Sequence, residues 1–258
     1  MKTLLFSAIL LLTLSVRAQV PASSAAVAIK DEPHHHLVLE NAYVRAWHFE
    51  IAGHDTTLLH AHDLPYLAVA LMPGDFVNGV AGKPEAHVTA DEGQLNYSKG
   101  GFAHFVRTDA GTPFQNFTIE LLKPQGTPRN RCIKVIDGPF DCPVEAAGKP
   151  VVETPAFETD ELLVEAGALP LGRFYNAESS PFPRLFIILS DSQVSVEPAG
   201  SKATKLHGGD LYWLPAGTSA AITEITPQKK KEKDRDARDE MKLSRFYIVV
   251  FKDAGGAK

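Results

Sequence analysis

The feature that most narrows the possible folds of this chain is a segment that occurs twice. Residues 209–220 (GDLYWLPAGTSA) lie over residues 93–104 (GQLNYSKGGFAH) at an offset of 116, and residues 183–190 (PRLFIILS) lie over residues 65–72 (PYLAVALM) at an offset of 118. Offsets so close to each other mark a duplicated structural unit. The unit itself reads as β. From Asn41 to Glu120 the chain breaks into short aromatic and β-branched runs separated by Gly, Pro and Asp turns, the rhythm of an all-β sandwich or barrel. Strands are predicted over Tyr43–Ile51, Thr57–His62, Leu67–Leu71, His87–Thr89, Gln94–Ser98, His104–Thr108 and Phe114–Leu122, with a last one over Leu243–Phe251. In Tyr43–Ile51, Tyr43, Trp47, Phe49 and Ile51 alternate with Val44, Ala46, His48 and Glu50, which predicts one greasy face. No long helical period occurs.

Within the first copy, His60 and His62 stand at i and i+2 on a predicted strand, so their rings share one face. His104 follows 42 residues after His62, on another predicted strand. Three imidazoles delivered in this way can form a facial set around one metal ion. The alternative is three histidines that merely hydrogen-bond inside an empty barrel.

The two runs resemble the two motifs of the cupin family, G-x5-H-x-H-x3/4-E-x6-G and G-x5-P-x-G-x2-H-x3-N. Six residues separate Gly53 from His60, His62 follows, and Tyr66 occupies the glutamate slot; Gly93, Gly101 and His104 keep the second spacing, with Lys99 for the proline and Thr108 for the asparagine. Three of the four ligand positions therefore match. The resemblance implies two tandem jelly-roll β-barrels, a bicupin: an N-terminal barrel over residues 37–124, a linker over 125–152 and a C-terminal barrel over 153–253. Such barrels enclose a cavity lined by inward-facing side chains. In the second copy Glu178, Ser180 and Ala220 fall where His60, His62 and His104 stand in the first, so that barrel is expected to lack metal.

The implied cofactor is a divalent ion, Fe, Mn or Zn, held by His60, His62 and His104. Three neutral imidazoles leave an open position for water or substrate, which Lewis-acid or oxygen chemistry needs. Tyr66 in the glutamate slot is a hydrogen-bond donor, a weak ligand or simply a wall of the barrel, because a phenol with a pKa near 10 stays protonated unless a metal lowers it. His48 shares a strand face with Glu50 and is a candidate to donate to a ligand or orient a substrate, the plainer alternative being an exposed strand histidine. The run His34, His35 and His36 precedes the first predicted strand, and such runs often bind metals adventitiously. His54, His87 and His207 are not expected to be ligands, and Lys99 is expected to face solvent.

Family resemblance does not fix a reaction, since cupins span dioxygenases, isomerases, decarboxylases, storage proteins and sugar-binding modules. Two readings remain open: a small-molecule metalloenzyme, oxygenase- or isomerase-like, and a non-catalytic small-molecule or sugar binder or structural protein of the cell envelope. No nucleophile elbow, HExxH or phosphate-cradling loop is present in the sequence.

Residues 1–18 resemble a cleavable secretory signal: Lys2, an apolar stretch from Leu4 to Leu14, and Val16 and Ala18 at the −3 and −1 positions. The expected location is secreted or periplasmic, with no membrane span once the signal is removed. Loss of Lys2 and Arg17 would take the net charge from −5 to −7. That balance argues against a nucleic-acid partner. Cys132 and Cys142 are the only cysteines, and in an exported chain they are expected to form a disulfide worth roughly 2 to 4 kcal/mol. A small-molecule ligand is the expected partner, with homodimerisation through edge strands as a further expectation. Gln228–Glu240, with six basic and five acidic residues, reads as a solvated insertion.

Overall fold

A computed structural model describes residues 25–142, 154–170, 172–189, 193–225 and 243–252. The predicted signal and the charged run at 228–240 lie outside these residues. Among the described residues no helix is long and apolar enough to cross a membrane.

The first barrel is built from β1 (Val27–Ala28), β2 (His35–Glu40), β3 (Val44–Ile51), β4 (His60–His62), β5 (Tyr66–Ala70), β6 (Gly74–Val80), β7 (Ala86–Ala90), β8 (Leu95–Ser98), β9 (Phe102–Arg107) and β10 (Phe114–Leu121). They form two facing sheets, ordered β1-β4-β9-β6-β7 and β2-β3-β10-β5-β8. The second barrel uses β11 (Arg129–Asn130), β12 (Thr154–Glu158), β13 (Leu162–Pro170), β14 (Phe174–Ala177), β15 (Arg184–Leu189), β16 (Gln193–Pro198), β17 (Thr204–His207), β18 (Leu211–Leu214), β19 (Ala220–Glu224) and β20 (Leu243–Phe251). Its sheets run β11-β12-β13-β20-β15-β18 and β14-β19-β16-β17. Setting aside β1 and β11 at the edges, the strand orders coincide, and both copies carry a register shift at the same place, between Leu37 and Leu39 in β2 and between Pro155 and Phe157 in β12. The chain is two tandem jelly-roll barrels, as the repeat in its sequence and the family resemblance together imply.

Three elements differ from the sequence-based expectation. The sheets of the first barrel begin at Val27 rather than at residue 37, because β1 pairs in parallel with β4 and β2 pairs with β3. The sequence HHLVLE of β2 has no clean period of two, so only cross-strand pairing reveals it as a strand. β6 contains Gly74, Asp75, Asn78 and Gly79, which read as turn residues, yet it is held on both sides by β7 and β9. The described part of the segment expected as a linker, residues 125–142, has structure of its own: Asn130 accepts from the amides of Val135 and Ile136 and donates to the Ile136 carbonyl. Cys132 and Cys142 are joined in a disulfide within it, as expected.

β3 also departs from the prediction of one greasy face. Trp47, Phe49 and Ile51 point into the first barrel, but Val44 and Ala46 on the opposite face are fully buried too. They join Leu67, Val69, Phe117 and Ile119 in a core shared with Phe157, Val164, Leu185, Tyr247 and Val249 of the second barrel. A sheet sandwiched between two cores buries both faces, so alternation is lost. Polar ties reinforce the junction, with the Tyr247 hydroxyl donating to the Gly93 carbonyl at 2.8 Å and Arg245 paired with Glu92.

Candidate metal centre

The geometry of the site begins with a turn. Gly100 and Gly101, both at positive φ, pack the second motif onto the first; a Cβ at Gly100 would collide with the Leu64 carbonyl, and the Gly101 amide donates to the His62 carbonyl at 2.6 Å. This clamp fixes the pairing of β4 with β9, in which His60 stands opposite His104 and His62 opposite Phe102. Directly opposed residues share a face. The three rings therefore converge: centroids lie 4.6 Å apart for His60 and His104, 4.9 Å for His62 and His104, and 5.0 Å for His60 and His62.

Two of the rings are held by a hydrogen bond at one nitrogen, and all three have a nitrogen left over. The Leu58 carbonyl meets His60 Nδ1 at 2.9 Å, and Asn78 Oδ1 meets His104 Nδ1 at 2.7 Å. His60 Nε2, His104 Nε2 and His62 Nδ1 are buried with no hydrogen-bond partner. A buried polar atom without a partner costs about 1–3 kcal/mol, so an orphaned nitrogen on each of three converging rings fits a divalent ion as the missing partner. Burial also keeps the rings neutral, lowering His60 to about 4, His104 to about 3 and His62 to about 2, with neighbouring imidazoles adding to the shift. Neutral imidazole is the form that binds metal.

A fourth ring, which the sequence analysis passed over as part of an adventitious run, joins this group. His35 is buried on β2, 4.8 Å by centroid from His60 and 6.0 Å from His62. One nitrogen from each of His35, His60 and His62 lies within 4.8 Å of the others. The signal that could have found it is Glu32, three residues upstream, whose buried carboxylate meets His35 Nδ1 at 2.7 Å and His34 Nδ1 at 2.8 Å. Burial alone would raise Glu32, but the hydrogen bonds to His35 and His34 outweigh it and hold the carboxyl at about 2. His34 reaches onward to Asp55 at 3.1 Å. Desolvation would lower it, yet the carboxylates of Glu32 and Asp55 leave it raised.

The departures from the family pattern find local roles. Tyr66 lies with its ring 4.6 Å from His62; burial raises its phenol above 10, with a hydrogen bond to Ser98 opposing the shift. Its ring stands beside that of His62 at the edge of the histidine cluster. Thr108, in the asparagine slot, is buried and donates to the Ala52 carbonyl at 2.6 Å, which fastens the turn carrying Asp55. Lys99 is exposed, as expected, and so are His36, His54, His87 and His207.

His48 is placed elsewhere than the sequence analysis expected. Its neighbour Phe49 packs on His35 at 4.8 Å, so His48 points the other way. There its ring meets Phe117 in the core shared between barrels.

In the second barrel the matching place is closed. Ala220 pairs with Ala177, not with Glu178, so two small buried side chains stand where His104 and His60 face each other in the first barrel. One residue of slippage follows, after which the Gly217 amide donates to the Ser180 carbonyl as Gly101 does to His62. Arg184, opposite Leu214 as Tyr66 is opposite Ser98, takes the place of Tyr66 and donates to the carbonyls of Glu178 and Thr218. Phe186, Ile188, Val194, Ile222, Phe246 and Ile248 fill the interior.

No protein-family model matches the chain, and no curated protein matches it. Solved structures do. The chain is similar to AerE from Microcystis aeruginosa (10% identity, 85% of this chain and 98% of that one, TM-score 0.52) and to a cupin 2 conserved barrel domain protein from Leptotrichia buccalis (11%, 84% and 88%, 0.50). It is also similar to a salicylate 1,2-dioxygenase from Pseudaminobacter salicylatoxidans (14%, 81% and 71%, 0.51). At such identities the likeness speaks of fold. Strand order, repeat and motif clamp agree with these likenesses, and together they show a two-barrel jelly-roll fold of the kind those cupin structures have.

Proposed function

We propose that this chain is an exported, metal-dependent bicupin whose first barrel binds a divalent ion through His60, His62 and His104 and acts on a small organic molecule. The observation that carries the reading is the convergence of three neutral imidazoles, each with a buried, orphaned nitrogen, in a barrel whose duplicate is packed shut. The salicylate 1,2-dioxygenase among its structural likenesses supports an oxygenase, and the disulfide supports export. When bound, an ion with an open position would supply Lewis-acid or oxygen chemistry. The chain's own residues hold two of the imidazoles at Nδ1, His60 through the Leu58 carbonyl and His104 through Asn78 Oδ1, while the rings of Tyr66 and Phe102 flank His62.

The test is metal content of the purified mature protein, followed by oxygen uptake with a panel of small aromatic and aliphatic acids. One equivalent of metal that His60→Ala loses, together with turnover, is expected. Metal without turnover on any substrate would leave a binding protein. Absence of stoichiometric metal after reconstitution with Fe, Mn and Zn would overturn the proposal.

A further inference from the structure

The sequence motifs account for three imidazoles, but the structure surrounds them with an N-terminal segment that no motif covers. Val27 and Ala28 pair with β4, and from His35 the chain pairs with β3. The Val27 amide donates to the Leu59 carbonyl at 2.9 Å, and β1 runs parallel to β4 with Val27 beside His60. Between β1 and β2 in the chain stands Glu32, its side chain wholly buried. Oε2 accepts from the His34 amide at 3.0 Å and meets His35 Nδ1 at 2.7 Å. Oε1 meets His34 Nδ1 at 2.8 Å and accepts from the Leu58 amide at 3.3 Å.

The last of these contacts connects Glu32 to a motif histidine. Leu58 gives its amide to Glu32, and its carbonyl is the group that meets His60 Nδ1. One carboxylate therefore holds His35 directly and His60 through a single residue. In both rings Nδ1 is engaged, which leaves Nε2 as the nitrogen with a free lone pair. Phe49 packs against the His35 ring at 4.8 Å, so the ring is fixed on a second side. A carboxylate behind a metal-bound histidine sets its tautomer and orientation and increases its basicity as a ligand.

Resting on the metal-binding reading above, we propose that His35 is a fourth imidazole of the metal centre and that Glu32 is the positioning residue that aims both His35 and His60. The first cupin motif lacks its acidic residue, with Tyr66 in that slot, and the N-terminal segment supplies instead a neutral ligand with a carboxylate behind it. The consequence is a centre of imidazoles alone, assembled from three separated stretches of chain, with the N-terminal stretch as an obligatory part of it.

The experiment uses the mature protein with its metal removed and then reloaded with Co2+ or Cu2+. Co2+ affinity is read by competition with a chelator, and nitrogen ligands are counted from the hyperfine pattern of the Cu2+ electron paramagnetic resonance spectrum. His35→Ala is expected to bind Co2+ at least ten-fold more weakly and to lose one coupled nitrogen. Glu32→Gln is expected to weaken binding by about 10- to 100-fold and to alter the Cu2+ spectrum while its metal-free thermal midpoint shows that it folds. Glu32→Ala repeats the test without an amide in the pocket. His36→Ala, in the same histidine run but exposed, is expected to match wild type, which separates a built site from an adventitious tract.

If wild type binds one ion and His35→Ala keeps both its affinity and its nitrogen count, this proposal is wrong while the metal-binding reading stands. If His35→Ala behaves as expected but folded Glu32→Gln matches wild type in affinity and spectrum, the positioning role is overturned. If wild type takes up no stoichiometric ion, both readings fail together.

Discussion

The two barrels share a strand order, a register shift and a glycine clamp, yet one is lined by imidazoles and the other is filled with hydrocarbon. In the first, His60 faces His104 across β4 and β9; in the second, Ala177 faces Ala220 across β14 and β19. The difference shows how little backbone a site needs. Small side chains at the cross-strand pair make room for Phe186 and Phe246, and the duplicate becomes a packed core. A fold of this kind tolerates either filling, because the ladder hydrogen bonds that hold the strands do not depend on what points inward.

That contrast can be broken most directly in the core of the second barrel. Phe186→Ala, at a fully buried position, is expected to cost about 3–5 kcal/mol and to leave metal uptake unchanged. His60→Ala is expected to cost the metal-free protein less than about 1.5 kcal/mol, since it removes an unsatisfied nitrogen along with its packing, and to abolish metal uptake. Denaturant unfolding of the two metal-free variants measures both. Comparable losses would mean that the imidazole barrel owes its stability to the same kind of packing as its duplicate.

A smaller effect sharpens the comparison through pH. In the folded chain burial lowers His60 to about 4, His104 to about 3 and His62 to about 2, whereas in the unfolded chain such rings take protons near 6.5. Between those values the unfolded state binds more protons, so stability is complete above about pH 6.5 and declines as the pH falls toward 4. Glu32, lowered to about 2, adds a loss that begins below its ordinary 4.5. His34, raised by its carboxylate partners, acts in the opposite sense, one ring against four, since burial lowers His48 as well. Chemical denaturation of metal-free protein at pH 7.5 and pH 5 should show the decline, and replacing His60, His62 and His104 together should flatten it. A wild-type profile flat across that interval would contradict the burial argument. The smallest effect is expected at Lys99→Ala, within about 0.5 kcal/mol of wild type and without effect on metal binding, because the side chain is exposed at a turn.

Much of this was legible in the sequence where a residue's role follows from its spacing. The i, i+2 pair at His60 and His62 implied a common face, the offsets of 116 and 118 implied a repeat, and Cys132 and Cys142 implied a disulfide. The failures share another character. β6 reads as turns because Gly, Asp and Asn are poor strand formers alone, and pairing on both edges overrides that preference. His48 sits on the face of β3 turned away from the histidines, and a strand pattern cannot say which face meets which core when both are buried.

What the sequence determined by itself was the local part: β periodicity, the duplicated unit, three motif histidines and the disulfide pair, all set by which residues stand a few positions apart. The tertiary structure alone decided the rest. Pairing the N-terminal segment with β4 and then with β3 turned His35 from a member of a histidine run into a buried neighbour of His60, and gave Glu32 its partners. Register across β14 and β19, shifted by one residue from the sequence alignment, put alanines where the duplicate site would be. Contacts between residues far apart in the chain are made by packing and strand pairing, and no local pattern encodes them.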